Sequence, residues 1–349
     1  MVRWAVLGPG RIAESVAGDF PHVADGELVA VGSRSLERAE QFARAHGIAR
    51  AYGSYDELLA DAEVDAVYVA TPHTWHVAHG TAVLEAGKAL LMEKSFTATL
   101  AGAESLVALA RARGVFAMEA MWTRFQPAIV RMRELIAEGA IGEVRGVEAD
   151  LGAERPFDPE DRLFSLDLGG GTILDLGVYV VSLAQMVLGN PTSVAVTGSL
   201  MSSGVDGESS YLLSYGDGRS ATLRAAFYSS PGAARVVGTK GWIDIPPRFH
   251  HPDRIVLHRP GGTDPEEIVL PPASRGYSLE VDEVNRCLAA GLTESPTMPL
   301  DDTLAVQAVL QQAADEIGVP LTDHLPTPTN FQRSSGQKSV ESVVTPDRR

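Results

Sequence analysis

Apolar and polar positions follow two regimes along this chain, and the change falls near Met121. Before it, short apolar runs alternate with stretches of helical period. Residues 4–7, 27–33, 64–70, 89–92 and 115–118 read as strands, with a further short one beginning at Tyr52. Residues 11–20, 36–46, 55–60, 75–85 and 100–113 read as helices, with Gly87 and Gly114 placed to stop the last two. Strict alternation of strand and helix predicts a parallel, doubly wound sheet with right-handed crossovers.

After Met121 the pattern becomes α+β. A helix over 128–138 leads to an alternating strand at 144–151, then to Gly169-Gly170-Gly171 and a long helix over 173–188. Strands follow at 193–199, 208–215, 219–227, 234–238, 241–245 and 254–258. Gly216-Asp217-Gly218 and Pro260-Gly261-Gly262 supply turns among them. Helices over 279–290 and 300–317 close the pattern. This predicts an open, mostly antiparallel sheet with helices on one face. Residues 1–120 therefore read as a dinucleotide-binding domain and 121–325 as a substrate-binding and oligomerisation domain. Residues 326–349 read as a polar, disordered tail. An open sheet with one bare face predicts a homodimer or homotetramer formed through the second domain.

Composition narrows the partners. The 349 residues carry a net charge of −16, which argues against nucleic acid and against anionic membrane surfaces. No apolar run reads as long enough to span a bilayer. Cys287 is the single cysteine, and it sits in an apolar helical pattern, as a small core residue would. No cysteine or histidine cluster has metal-ligand spacing. A chain that opens directly on a strand, with one cysteine and no secretory pattern, fits a reducing cytoplasmic setting.

The candidate chemistry begins at Gly8-Pro9-Gly10-Arg11-Ile12-Ala13, between the first strand and the first helix. Gly8 permits a tight turn, and Gly10 lets the N–H groups of the helix start, at Arg11 and Ile12, approach a pyrophosphate. The second strand ends in Ser33 and Arg34, with Arg38 one helical turn on. An NAD site usually carries an acid there. A guanidinium in its place suits the 2′-phosphate of NADP, with NAD still possible. Arg34 and Arg38 also fit plain solvent-exposed charges at a helix start. The fourth strand ends in Thr71-Pro72-His73-Thr74-Trp75-His76, at the sheet edge where ligands bind. His73 and Trp75 are placed to wall a nicotinamide pocket, and His76 either joins them or supports the next helix.

Glu93 and Lys94 end another strand at the same edge. Lys94 reads either as a surface charge beside Glu93 or as a partly desolvated amine suited to proton transfer. Asp175 and Tyr179 are four residues apart, hence on one helix face. A hydride-transfer enzyme needs a group to take the proton of the alcohol, and lysine and tyrosine both suit that task. Asp175 fits an anchor for a substrate hydroxyl or an orienter of the lysine.

These residues, with Glu119–Phe125 and Gly276–Glu280, are where the chain resembles the glucose–fructose oxidoreductase, inositol 2-dehydrogenase and rhizopine catabolism family, abbreviated Gfo/Idh/MocA. The resemblance spans about residues 2–319. Its pattern is most similar to the branch of dimeric dihydrodiol dehydrogenases and D-xylose dehydrogenases, which is NADP-linked and has tyrosine where Tyr179 stands. It implies that Lys94 and Tyr179 transfer protons and that Asp175 assists. It also implies that Arg124 and Phe125 lie near the crevice, and that Arg162 reaches a substrate hydroxyl. One departure stands out: the family pattern Glu-Lys-Pro is here Glu93-Lys94-Ser95. Proline would restrict the backbone at the lysine, so the amine is expected to be less rigidly aimed. The expected protein is an NADP-dependent oxidoreductase acting on a sugar, cyclitol or vicinal diol. The alternative is a non-enzymatic NADP- or sugar-binding regulator on the same fold.

Overall fold

A computed structural model describes residues 1–261 and 264–326. The polar tail expected from residue 326 onward falls, past Pro326, outside the described residues.

Six parallel strands form the first sheet, in the order β3-β2-β1-β4-β5-β6. They are β1 (Val2–Leu7), β2 (Gly26–Gly32), β3 (Arg50–Tyr52), β4 (Ala66–Val69), β5 (Ala89–Glu93) and β6 (Ala117–Ala120). The apolar runs of β4 and β5 are buried at every position, as strands covered on both faces must be. Helices α1 (Arg11–Asp19), α2 (Leu36–His46), α3 (Tyr55–Leu59), α4 (His76–Glu85) and α5 (Leu100–Arg113) connect them. Local chemistry fixes the helix ends. Ser35 and Thr99 cap α2 and α5 by accepting from the N–H groups of Arg38 and Gly102, and Gly47 and Gly114 end those helices in left-handed conformation. Strand order reverses between β1 and β4, and this switch point opens the crevice at the carboxyl edge. Gly8, Ser33, Thr71 and Lys94 all sit on that edge.

The second sheet has eight strands, in the order β14-β13-β12-β11-β7-β10-β9-β8. In chain order these are β7 (Val144–Gly152), β8 (Ser193–Leu200), β9 (Asp206–Ser214), β10 (Ser220–Ala226), β11 (Ala234–Gly238), β12 (Gly241–Ile245), β13 (Arg254–His258) and β14 (Glu266–Val269). All neighbours are antiparallel except β7 with β10. Burial alternates along β7 and β10, so one face packs and the other meets solvent. Helix α6 (Pro127–Ala137) precedes β7. Helices α7 (Val178–Leu188) and α9 (Leu300–Ile317) cover the packed face. The short edge strand β14 has no apolar alternation to betray it; Glu266 and Glu267 lead it.

Two features depart from the sequence reading. The helix expected over 173–188 starts as a π-helical turn, Ile173–Gly177, before becoming α7. Asp175 and Tyr179 are therefore not on a plain α-helical face. The stretch Leu166–Leu188 is also long and apolar enough to cross a bilayer, against expectation, but most of it is buried inside the protein as a core helix. Helix α8 (Ser278–Ala289) lies over the first sheet, where Asn285 Oδ1 accepts from the Trp4 indole at 2.9 Å.

Candidate active site

The site assembles where the carboxyl edge of the first sheet meets the start of α7. Gly8 has φ +93°, and a Cβ there would lie 2.8 Å from Thr71 Cγ2. Glycine is required by the fold at this turn. Gly10 is different. It has ordinary extended backbone as the N-cap of α1, and a Cβ would meet only Ala70 O, at 3.8 Å. Nothing in the protein demands glycine at position 10, whereas a pyrophosphate resting on the Arg11 and Ile12 end of α1 would.

At the end of β2, Ser33 is buried and its hydroxyl accepts from Ser35 N at 3.2 Å. Arg34 and Arg38 have no carboxylate partner among the described residues, and Arg38 Nη2 reaches Pro9 O of the glycine turn at 3.4 Å. Tyr55 and His79 face the same corner: their rings lie 4.8 Å apart, and His79 stacks on Trp75. His79 Nδ1 lies 3.0 Å from Thr71 Oγ1. Neither Tyr55 nor His79 stood out in the sequence, because each falls within an ordinary helical pattern. The residues present fit an NAD(P) dinucleotide: a cradle without Cβ, a helix N-terminus and two unpaired cations.

The loop after β4 does more structural work than expected. His76 is fully buried; its Nε2 lies 2.8 Å from Thr71 O and its Nδ1 2.9 Å from Ser95 O. Burial pushes this imidazole down to about 4, so the neutral ring ties the β4 and β5 loops together. A direct cofactor contact for His76 is thereby corrected to support of the loops. His73 is likewise enclosed, with Nδ1 2.8 Å from Gly169 O and Nε2 3.2 Å from Lys94 O. It joins the two halves of the site, and its ring nitrogens face peptide carbonyls instead of open crevice. Pro72 sets the turn that leads into His73–Trp75.

Glu93 is buried beneath the lysine. Its Oε2 accepts from Lys94 N at 3.1 Å, and its Oε1 accepts from the Tyr68 hydroxyl. Burial raises its pKa, partly offset by Lys94. It braces Lys94 from inside the sheet.

Lys94 Nζ donates to Asp175 O at 2.7 Å and stands 3.7 Å from Asp175 Oδ1. The same ammonium lies over the Tyr179 ring, 4.6 Å from its centroid. The Asp175 carboxylate is shared with Arg162, whose Nη2 donates at 2.9 Å. Burial opposes ionisation of Asp175, but the Lys94 and Arg162 cations outweigh it and hold the carboxyl well below the usual range. Ser95, expected to loosen the lysine, is fully buried and donates its hydroxyl to Leu174 O at 2.9 Å. That bond pins the β5 end to the π-helical turn, so the amine is held from both sides.

The triple glycine brings Asp175 into place. A Cβ at Gly170 would lie 2.5 Å from Leu163 O, and one at Gly171 would lie 2.2 Å from Asp206 Oδ1. Only glycine lets this segment pass so close to the Arg162 loop.

Tyr179 is buried, and its hydroxyl oxygen accepts from Trp122 Nε1 at 2.9 Å. Burial, then the charge of Glu93, raise its pKa well above the ordinary value, so it stays a phenol and a proton donor. Trp122 is itself stacked between Tyr277 and His251, with centroids 4.2 and 5.1 Å away. His250 lies 5.1 Å from the Tyr179 ring, and its buried Nδ1 has no partner. Sequence reasoning singled out neither Trp122 nor His250 for the site. The adjacent pair His250-His251 between Pro247 and Pro252 was the available signal.

Arg124 is a correction. It is 2 % exposed, and its guanidinium is taken up by Asp302 at 2.6 Å, Gln185 Oε1 at 2.6 Å and Thr297 O at 3.2 Å. Three of its N–H groups are spent on these partners and its Nε is buried without one, so the guanidinium is enclosed in the core and not presented to the crevice. Phe125 is also buried, in the core behind the crevice. Among the described residues no group of side chains is arranged to hold a metal ion.

Comparison with known proteins agrees with this fold. Residues 2–121 match the model of an oxidoreductase family with an NAD-binding Rossmann fold, and residues 129–244 match the GFO/IDH/MocA C-terminal domain. The chain is 36% identical to a trans-1,2-dihydrobenzene-1,2-diol dehydrogenase of Xenopus tropicalis, over 91% of this chain and 98% of that one. The mouse (Mus musculus) enzyme of the same name is 35% identical, over 91% and 97%. Among solved structures, an aldose–aldose oxidoreductase from Caulobacter crescentus in complex with glycerol superposes with a TM-score of 0.82 at 27% identity, covering 90% of this chain and 98% of that one. A 3-ketoreductase from Actinomadura kijaniata, in complex with NADP and TDP-benzene, gives 0.78 at 27% identity, covering 94% and 99%. An enzyme, and not the binding-protein alternative, is the outcome: this chain belongs to the Gfo/Idh/MocA family of NAD(P)-dependent oxidoreductases.

Proposed function

We propose that the protein is an NADP-dependent dehydrogenase or reductase acting on a CH–OH carbon of a sugar, cyclitol or vicinal diol, with Lys94 and Tyr179 as its proton-transfer groups. The observation that carries this reading is the Lys94 ammonium lying 4.6 Å from the Tyr179 ring centroid, at the edge where the cofactor cradle ends. The bound nicotinamide supplies the hydride acceptor or donor.

The remaining chemistry falls to the chain. Asp175, ionised and clamped by Arg162, fixes the lysine Nζ through its carbonyl and carboxylate oxygens. The Trp122 indole occupies the acceptor side of the Tyr179 oxygen. The phenolic proton has no acceptor among the described residues and is free to meet a substrate oxygen. In reduction the Tyr179 phenol gives its proton to the carbonyl oxygen as hydride reaches the carbon, which leaves a phenolate beside the Lys94 ammonium; in oxidation that phenolate takes the hydroxyl proton as hydride leaves the same carbon. Arg34 and Arg38 supply the charge for a 2′-phosphate, which favours NADP over NAD.

The dihydrodiol dehydrogenase relatives support a diol, and the aldose and keto-sugar neighbours support a sugar. The bare face of the second sheet, with Leu212 about half exposed on β9, supports a homodimer or homotetramer built on that face.

The test is nicotinamide absorbance on mixing the protein with NADP and a panel of aldoses, inositols and vicinal diols, with Lys94→Ala alongside. Reduction in the parent and loss of about 100-fold or more in the variant, at unchanged NADPH binding, is the expected outcome. Equal turnover in Lys94→Ala overturns the assignment.

A further inference from the structure

A second cavity of about 670 Å³ adjoins the proton-transfer centre and is not used by the reading above. It lies between α1 and the loop of residues 246–254, and one wall is formed by Trp122 and Tyr277. Its charged lining is Arg248, Arg254 and Arg275 against Asp253, two positive charges in excess on a chain of net −16. Arg254 is satisfied by Asp253 and Glu267. Arg248 and Arg275 have no carboxylate partner among the described residues. Arg275 Nη1 touches only Ser15 Oγ, at 3.3 Å, and Arg248 Nε donates to His251 Nε2 at 3.0 Å.

The cavity is built to be rigid. Pro246, Pro247, Pro252 and Pro272 stand in its walls, each with its φ fixed by the ring. Arg248 holds φ +71°, a left-handed conformation that is strained for a residue with a Cβ. It is locked by the bonds Phe249 N to Gly232 O, 3.0 Å, and His251 N to Arg248 O, 2.9 Å. Arg248 itself lines the cavity. The loop also connects cavity and chemistry directly: His250 turns to the Tyr179 ring, and His251, the next residue, lines the cavity.

We propose that this arginine-lined cavity binds a phosphate group carried by the substrate, so that the substrates of this enzyme are phosphorylated sugars. The inference rests on the oxidoreductase reading for the position of the reacting carbon. A volume of this size takes a sugar phosphate and has room for a nucleoside beyond it. Planar guanidinium donors suit phosphate oxygens, and an excess of positive lining on an acidic protein draws an anion to this point.

The test is calorimetric titration of the full chain, saturated with NADP so that the dinucleotide cradle is filled. Glucose 1-phosphate, UDP-glucose and unmodified glucose are the probes, with Arg248→Ala, Arg275→Ala and the double variant alongside. Both phosphate-bearing probes, or one of them, are expected to bind at least tenfold more tightly than glucose. Each single variant should lose about 10-fold or more in that binding, with NADPH affinity and melting temperature retained. Preference for glucose 1-phosphate identifies a sugar monophosphate; preference for UDP-glucose identifies a nucleotide-linked sugar. No gain from phosphate, or undiminished binding in the double variant, overturns the proposal. Because binding is read without turnover, failure here is separable from failure of the dehydrogenase reading.

Discussion

Trp122 donates its indole N–H to the hydroxyl oxygen of Tyr179 at 2.9 Å, inside a stack that Tyr277 and His251 close on either side. The bond sets which way the phenol points its own proton. Trp122→Phe keeps an aromatic ring in the stack and removes only the donor. Turnover should fall by about fivefold, the size of one neutral hydrogen bond, while NADPH binding is retained. Steady-state kinetics beside a fluorescence titration with NADPH give the answer; an unchanged rate constant would mean that the indole only fills space.

Cofactor choice rests on Arg34 and Arg38, cations without a carboxylate partner among the described residues, at a strand end that carries no acid. Ser33→Asp combined with Arg34→Ala supplies the missing acid and removes one cation. The ratio of kcat/KM for NADPH over NADH should drop by about 10- to 100-fold, the range for a lost charged hydrogen bond. A ratio that stays put would locate the discriminator elsewhere on the edge.

Glu119 offers a pH test away from the chemistry. It is 1 % exposed, takes hydrogen bonds from Phe96 N and Thr303 Oγ1 at 3.1 and 3.0 Å, and burial raises its pKa to about 7. The unfolded chain loses this proton near 4.5 and the folded protein only near 7. Between those values the folded state binds more protons, so stability falls as pH rises and levels off above 7. Glu119→Gln removes that dependence while keeping both bonding partners. Its melting temperature should match the parent near pH 4.5 and exceed it by about 2–4 °C at pH 8. Parallel curves across that range would show that Glu119 ionises normally.

Much of the frame was legible because its signals are local. Residues 36–46 and 100–113 carry their own N-caps and glycine stops, and both helices appear with those bounds. Strands 234–238, 241–245 and 254–258 also stand as read, set by β-branched runs and turns. The site was legible in its ends, Gly8, Lys94 and Tyr179, and opaque in its connections. Nothing in a sequence pattern distinguishes Arg124, consumed by Asp302 and Gln185, from Arg162, which reaches Asp175. That difference is decided by which element packs behind each guanidinium. The π-helical turn at Ile173–Gly177 likewise has no mark in the apolar pattern, which reads there as a plain helix. Ser95 was misjudged for the same reason, since its bond to Leu174 O joins segments 79 residues apart.

Gly8 and Gly10 separate what the fold needs from what the cofactor needs. At Gly8 an alanine would have to hold φ +93° with its methyl 2.8 Å from Thr71 Cγ2 and 3.3 Å from Ala70 O. The turn would have to move, so Gly8→Ala should lower stability by about 1–3 kcal/mol, seen as an earlier denaturant midpoint. At Gly10 the backbone is extended and the methyl would meet nothing closer than Ala70 O at 3.8 Å. Gly10→Ala should therefore unfold at the same denaturant concentration as the parent. Its methyl does, however, stand where the pyrophosphate approaches the start of α1. NADPH affinity should drop by about tenfold or more in Gly10→Ala, with no loss of stability in the free protein. Equal NADPH affinity in parent and variant would place the pyrophosphate off the α1 N-terminus and move the cofactor away from the cradle.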